Sequence, residues 1–206
     1  MTSQRSVKRN APPPKAVPSR WAQWLTLDRM IIGGTVLFTV LIIGIVALNS
    51  GSNAAIRNTD IEGVEVFPRP VPSHVNDPVS YDQLPPVGGP HYSVWQQCGV
   101  YTEPLFDEYA VHSLEHGAVW ITYQPDLDAE QVTALQDITR RSTHRLLSPY
   151  PGIDSPIIVS AWGYQLRLES ADDVRLMQFI LKYEQGEQTP EPGAVCSGGV
   201  TLTQQS

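Results

Sequence analysis

Apolar and polar positions follow three different regimes along this chain. Residues 30–48 (MIIGGTVLFTVLIIGIVAL) form a run of 19 residues without a charge, about the length a helix needs to cross a bilayer core. Residues 68–90 hold seven prolines, Pro85-Pro86 among them, and predict an extended lead-in that neither alternates nor repeats at helical spacing. A short strand over 63–67 (GVEVF) precedes it. Beyond Ala110 the pattern becomes regular. Residues 118–123 (AVWITY), 157–162 (IIVSAW) and 164–168 (YQLRL) have the length and β-branched or aromatic content of strands, the last two turned at Gly163. Asp128 with Gln131 resembles a capping box, and Val132, Leu135 and Ile138 recur at helical spacing behind it. Ser170 with Asp173 opens a second helix whose Val174, Met177, Ile180 and Leu181 share a face. Strand, helix, strand, strand, helix is most economically an α+β fold: a small sheet with two helices packed on one face, behind an N-terminal transmembrane helix.

Charge sharpens the organisation. Before the apolar run stand six bases (Arg5, Lys8, Arg9, Lys15, Arg20, Arg29) against Asp28, a net of +5. From Gly51 onward eight bases face twenty acids, a net of −12. This asymmetry places the N-terminus in the cytoplasm and the remainder outside the cell membrane, with Trp21 and Trp24 at the level of an interfacial belt. A cleaved signal peptide is the alternative, although a 29-residue leader and a 19-residue core are long for one. The resulting plan is a disordered basic cytoplasmic tail (1–29), a single-pass membrane anchor (30–48), a proline-rich tether and lead-in (49–90) and an extracytoplasmic α+β domain (91–206). The acidic outer part, with Lys182 its only lysine, argues against nucleic acid and against anionic lipid as partners. In an oxidising compartment Cys98 and Cys196 are expected to form a disulfide; the alternatives are a thiolate metal ligand and reactive thiol chemistry.

The five histidines are the chain's clearest candidate chemistry. His91, His112 and His116 fall within 26 residues that also hold Trp95, Cys98 and Glu115. Imidazole is the commonest metal ligand, and two histidines four apart close on one ion if they sit on a helix. On a strand the same pair lies about 13 Å apart, so joint ligation by His112 and His116 requires a turn or short helix, which Gly117 suits as a terminus. The candidate metal ligands are His91, His112 and His116, with Glu115 as an orienting group or a fourth ligand. Copper or zinc is the expected ion, copper gaining where a thiolate or methionine assists. Met177 is read as core filler. The string His112-x-x-Glu115-His116 also spells the H-x-x-E-H of inverted zinc peptidases, where glutamate serves as general base; a hydrolase would need a firm helix, a third ligand downstream and a cleft. The plain alternative is a non-enzymatic interaction domain, its protein partner unspecified, with His112 and His116 as buried structural residues. Glu115 would then pair with Arg140, Arg141 or Arg145. His74 and His144 receive no role. No phosphate-binding glycine loop, G-x-S-x-G, C-x-x-C or EF-hand string occurs, and no catalytic residue is assigned.

One resemblance rests on several unusual strings in order: Pro85-Pro86-x-Gly88-Gly89-Pro90-His91-Tyr92, then Trp95, Cys98-Gly99-x-Tyr101 and Pro104, then Val111-His112-Ser113-Leu114-Glu115-His116-Gly117, with Tyr123 and Pro125 following. Together they resemble an uncharacterised bacterial membrane-anchored family, domain of unknown function 3105, over about residues 77–183. The resemblance implies a small protein with one N-terminal span. It also implies that His91, His112, His116 and Cys98 belong to the family's shared pattern. It brings no activity with it.

Overall fold

The computed structural model describes residues 31–46, 59–68 and 70–205. Two compact units divide the chain between Gly51 and Ser52. The first contains α1, a continuous helix over 31–46 whose side chains are all exposed. Sixteen residues at about 1.5 Å each span about 24 Å, short of a hydrocarbon core of about 30 Å. Among the described residues no helix is long and apolar enough to cross a membrane. Met30, Ala47 and Leu48, the ends of the expected span, lie outside the described residues, as do the tail and residues 49–58 of the tether.

The second unit is α+β. Its six-stranded mixed sheet runs in the order β1-β8-β7-β5-β6-β4: β1 (Val64–Val66), β8 (Tyr164–Leu168), β7 (Ile157–Ala161), β5 (Val119–Tyr123), β6 (Arg145–Pro149) and β4 (Gly99–Val100). The β1/β8, β8/β7 and β7/β5 pairs are antiparallel, whereas β5/β6 and β6/β4 are parallel. Ala161 faces Tyr164 in the register, so β7 and β8 form a hairpin around Trp162–Gly163. A separate two-stranded parallel ladder joins β2 (Ser73–Val75) to β3 (Pro90–Tyr92). The strand expected over 63–67 is β1, and the proline-rich lead-in is partly built into the fold, supplying β2.

The sheet is covered on both faces. On one, Val119, Ile121, Leu147, Val159 and Leu166 meet Leu135 of α3 (Ala129–Thr139) and Leu176, Phe179 and Ile180 of α4 (Val174–Tyr183) in a continuous apolar core. These are the two helices expected on one face. The opposite face carries a third, α2 (Asp107–Glu115), whose Ala110, Val111 and Leu114 pack with Trp120, Leu146 and Trp162. Local pattern predicts neither α2 nor β6. Seven of the nine α2 residues are buried, Glu108, His112, Ser113 and Glu115 among them, so no polar face contrasts with an apolar one. Every residue of β6 is buried between β5 and β4, which erases alternation.

Two helix starts differ in detail from the sequence reading. The Asp128 side chain accepts the N–H groups of Glu130 and Gln131, but the Gln131 side chain accepts from Ala171 N–H at 3.1 Å instead of closing a capping box. The last helix begins after Asp173 and not at Ser170; the Asp173 carboxylate caps Arg175 N–H, while Ser170 closes the preceding turn through its carbonyl.

Cys98 and Cys196 form a disulfide, with Cα atoms 5.3 Å apart. The segment from Glu184 to Val200 therefore runs back along residues 95–98, with Cys98 N–H donating to Cys196 O and Val200 N–H to Trp95 O. We call it the strap. Its Gln185 N–H donates to Gly117 O and its Glu191 N–H to Glu115 O, so it closes over the C-terminal end of α2.

Candidate metal centre

His112 sits on the last turn of α2 and His116 at its C-cap. Gly117 then takes φ +88° and turns the chain into β5. Glycine is required twice over at this position, by the backbone angle and because a Cβ would meet Gln185 Cα and Thr189 Oγ1 at 3.0 Å. The helix needed to bring His112 and His116 together is thus present. His91 enters from β3, and β3 is fixed from several sides. Tyr81 OH donates to Pro90 O at 2.6 Å and Val79 N–H to Glu108 Oε1 at 2.9 Å. Gly88, at φ +139°, passes so close to Pro70 that a Cβ would stand 2.9 Å from its ring. His74 pairs with His91 directly across the β2–β3 ladder.

These elements bring four donors to one point. One ligand atom from each of His74, His91, His112 and Glu115 lies within 4.8 Å of every other. Glu115 Oε2 is 2.9 Å from His91 Nε2, 3.7 Å from His74 Nε2 and 3.9 Å from His112 Nε2. His91 is fully buried and Glu115 is 4% exposed; only His74 opens to solvent, its side chain half-exposed. Trp162 and Trp95 wall the site, the first edge-on to the His91 ring and the second tilted against His112 and His116.

Hydrogen bonds fix the tautomers. Each buried ring places Nδ1 against a backbone carbonyl: His91 on Gly89 O at 2.8 Å, His112 on Tyr92 O at 2.6 Å and His116 on Val195 O at 2.7 Å. A carbonyl can only accept, so each Nδ1 carries the proton and Nε2 faces inward. Burial holds the His112 ring down to about pKa 4, reinforced by neighbouring His116, His91 and His74 and opposed by the Tyr92 carbonyl. His112 is therefore neutral at pH 7, and its Nε2 offers a lone pair. An Nδ1–H on a carbonyl with Nε2 directed at a shared point is how proteins orient imidazole for metal binding. A carboxylate beside the neutral His112 ring adds the negative charge that favours a cation.

Of the residues singled out from sequence, His91, His112 and Glu115 meet in this cluster. His116 does not complete it. Its Nε2 lies 3.0 Å from His112 Nε2 and 3.5 Å from Glu191 Oε2, to one side of the four-donor group. Cys98 is in the disulfide and brings no thiolate, and Met177 is on α4, where it is exposed and not the core filler expected of it. The arginines weighed as partners for Glu115 are engaged elsewhere in the case of Arg145, which holds Glu184 at 2.7 Å. Sequence reasoning missed His74 and Glu191. His74 reaches the site only through the β2–β3 register, across 16 intervening residues, and Glu191 only through the strap.

Fold and site together define an α+β domain with a buried histidine–carboxylate centre under a disulfide-tied strap. The chain belongs to the family described as protein of unknown function (DUF3105), which matches residues 74–198. That span takes in every donor named above and both cysteines. No curated protein and no solved structure matches the chain.

Proposed function

We propose that this chain is a membrane-anchored, extracytoplasmic protein that binds zinc or copper(II) through His74, His91, His112 and Glu115. The observation that carries the reading is the locked tautomer set, in which carbonyl-bound Nδ1 atoms turn buried Nε2 atoms onto one carboxylate. Burying a carboxylate and two imidazoles costs several kcal/mol unless a charge or proton compensates, and a dication at their meeting point does so. With the cysteines paired and no methionine adjacent, the donors are nitrogen and oxygen alone, which suits zinc or copper(II) over copper(I). The anchor is the uncharged run 30–48, with the basic tail inside and the domain outside; the disulfide agrees with an oxidising compartment.

The full chain, stripped with chelator and reloaded, is expected to hold at least one zinc or copper ion per chain. The double variant His91→Ala/Glu115→Ala should lose the ion bound there. A wild type that takes up neither metal overturns the proposal. Protease added to intact cells should remove the domain; full protection would overturn the topology.

A hydrolase is the second reading, and one observation favours it: Glu191 Oε2, 3.5 Å from His116 Nε2, stands where a third ligand downstream of His112-x-x-Glu115-His116 would, at the end of a helix. Against it, Glu115 is directed at His91 and His74. A groove of about 450 Å³ and a smaller one of about 190 Å³ are lined by residues such as Phe67, Pro70, Tyr81 and Trp162, not by His112, His116 or Glu191. Activity that Glu115→Gln removes while metal stays bound would decide for it.

A further inference from the structure

His116 and Glu191 are unexplained by a single four-donor site. His116 is 4% exposed, and its Nδ1–H is spent on Val195 O. Its Nε2 then confronts His112 Nε2 at 3.0 Å, with Glu191 Oε2 at 3.5 Å. His112 is held in the same way, its Nδ1–H on Tyr92 O. The two Nε2 atoms and a Glu191 carboxylate oxygen therefore lie together, with both Nδ1 protons already committed to backbone carbonyls. Two ligands at about 2.0–2.1 Å from one metal stand roughly 2.9–3.4 Å apart at bond angles between square and tetrahedral. The His112–His116 separation falls in that range.

The surrounding chain is organised to hold this group. Val195, which orients His116, precedes Cys196 of the disulfide. The Glu191 backbone N–H is fastened to Glu115 O at 3.1 Å, so the two carboxylate residues are tied together. His112 Nε2 is also nearer to His116 than to Glu115, 3.0 Å against 3.9 Å.

Resting on the metal-binding reading above, we propose that the centre takes a second divalent cation, held by His112, His116 and Glu191, beside a first on His74, His91 and Glu115. Each ion then has two imidazoles and one carboxylate, with further positions for water or a small anion. Paired ions of this kind stand about 3.5–4 Å apart. With one ion bound, His112 serves the first set; the second ion draws it to His116.

Equilibrium dialysis of the chelator-stripped full chain in detergent against buffered free zinc reads the stoichiometry. Two zinc ions per wild-type chain are expected, and one in both His116→Ala and Glu191→Ala. The Glu191 side chain is half-exposed, so its variant keeps the fold even where the buried His116 variant does not. One zinc in the wild type, unchanged in Glu191→Ala, overturns the second ion and leaves the first standing. Two zinc ions retained in Glu191→Ala overturn the assignment of Glu191. No zinc in the wild type overturns this inference and the proposed function together.

Discussion

On the α3–α4 face of the sheet, Val119, Ile121, Leu147, Val159, Leu176 and Phe179 interlock as an apolar core. On the α2 face, the apolar group of Leu114, Trp120, Leu146 and Trp162 is bordered by His91, Gln96, His112, Ser113, Glu115 and His116, all buried. The first face stabilises the fold by removing hydrocarbon from water. The second forgoes part of that gain by sequestering groups that water would solvate. Such a face is tolerated when something compensates it, and a cation at the imidazole–carboxylate meeting point is the compensation proposed here. The two faces should therefore respond differently to mutation.

The largest effect is expected from the covalent tie on the α2 side. Cys98 and Cys196 are 98 residues apart, and opening that loop in Cys98→Ala/Cys196→Ala should cost about 4–5 kcal/mol by chain entropy. It should also release the strap, so metal affinity falls with stability. A denaturation midpoint and a zinc titration on one preparation check both; intact affinity in a destabilised variant would separate strap from site. Next comes Phe179→Ala, a cavity on the apolar face costing about 3–5 kcal/mol. Metal stoichiometry should be unchanged, and its loss would mean that the two faces are coupled.

Asp107 gives a pH-dependent contrast on the α2 face. Burial pushes its carboxyl up to about 6 against an ordinary 3.8, with the Tyr150 hydroxyl opposing at 3.0 Å, and its Oδ1 is buried without a hydrogen bond. The folded state thus prefers the protonated acid. Stability from this group is present below pH 4 and lost as pH rises through 6, about 3 kcal/mol in all at 1.36 kcal/mol per pH unit. Asp107→Asn should flatten the slope and be the more stable protein at pH 7, with parity restored near pH 4. A wild type that gains stability relative to the variant between pH 4 and 7 would contradict this. The smallest effect is on the apolar side, where Asp128→Ala removes the α3 cap and should cost about 1 kcal/mol in the denaturation midpoint, without touching metal binding.

The same contrast explains what the sequence revealed. The α3–α4 face was legible in its elements, since AVWITY, IIVSAW and YQLRL became β5, β7 and β8 and Asp128 and Asp173 cap the two expected helices, but α4 buries Leu176, Phe179, Ile180 and Tyr183 and leaves Val174 and Met177 of the expected face exposed. The α2 helix was hidden because its polar residues are buried beside its apolar ones. His91, His112 and Glu115 were legible as chemistry because unusual residues crowd a short stretch. His74 was not, since a parallel pairing between β2 and β3 carries it there and no local spacing encodes that register. Glu191 depends on the strap, whose position follows from the disulfide and backbone bonds that no periodicity records. His116 lies at the helix cap, which turns its ring from the four-donor group toward Glu191.

X-ray absorption spectroscopy of the zinc-loaded full chain reads whether the inward-facing Nε2 atoms ligate a metal. Ligation by these imidazoles gives a first shell of nitrogen and oxygen at about 2.0–2.1 Å, with imidazole outer-shell scattering and no sulfur near 2.3 Å. A spectrum matching hydrated zinc in buffer, without imidazole scattering, would contradict it.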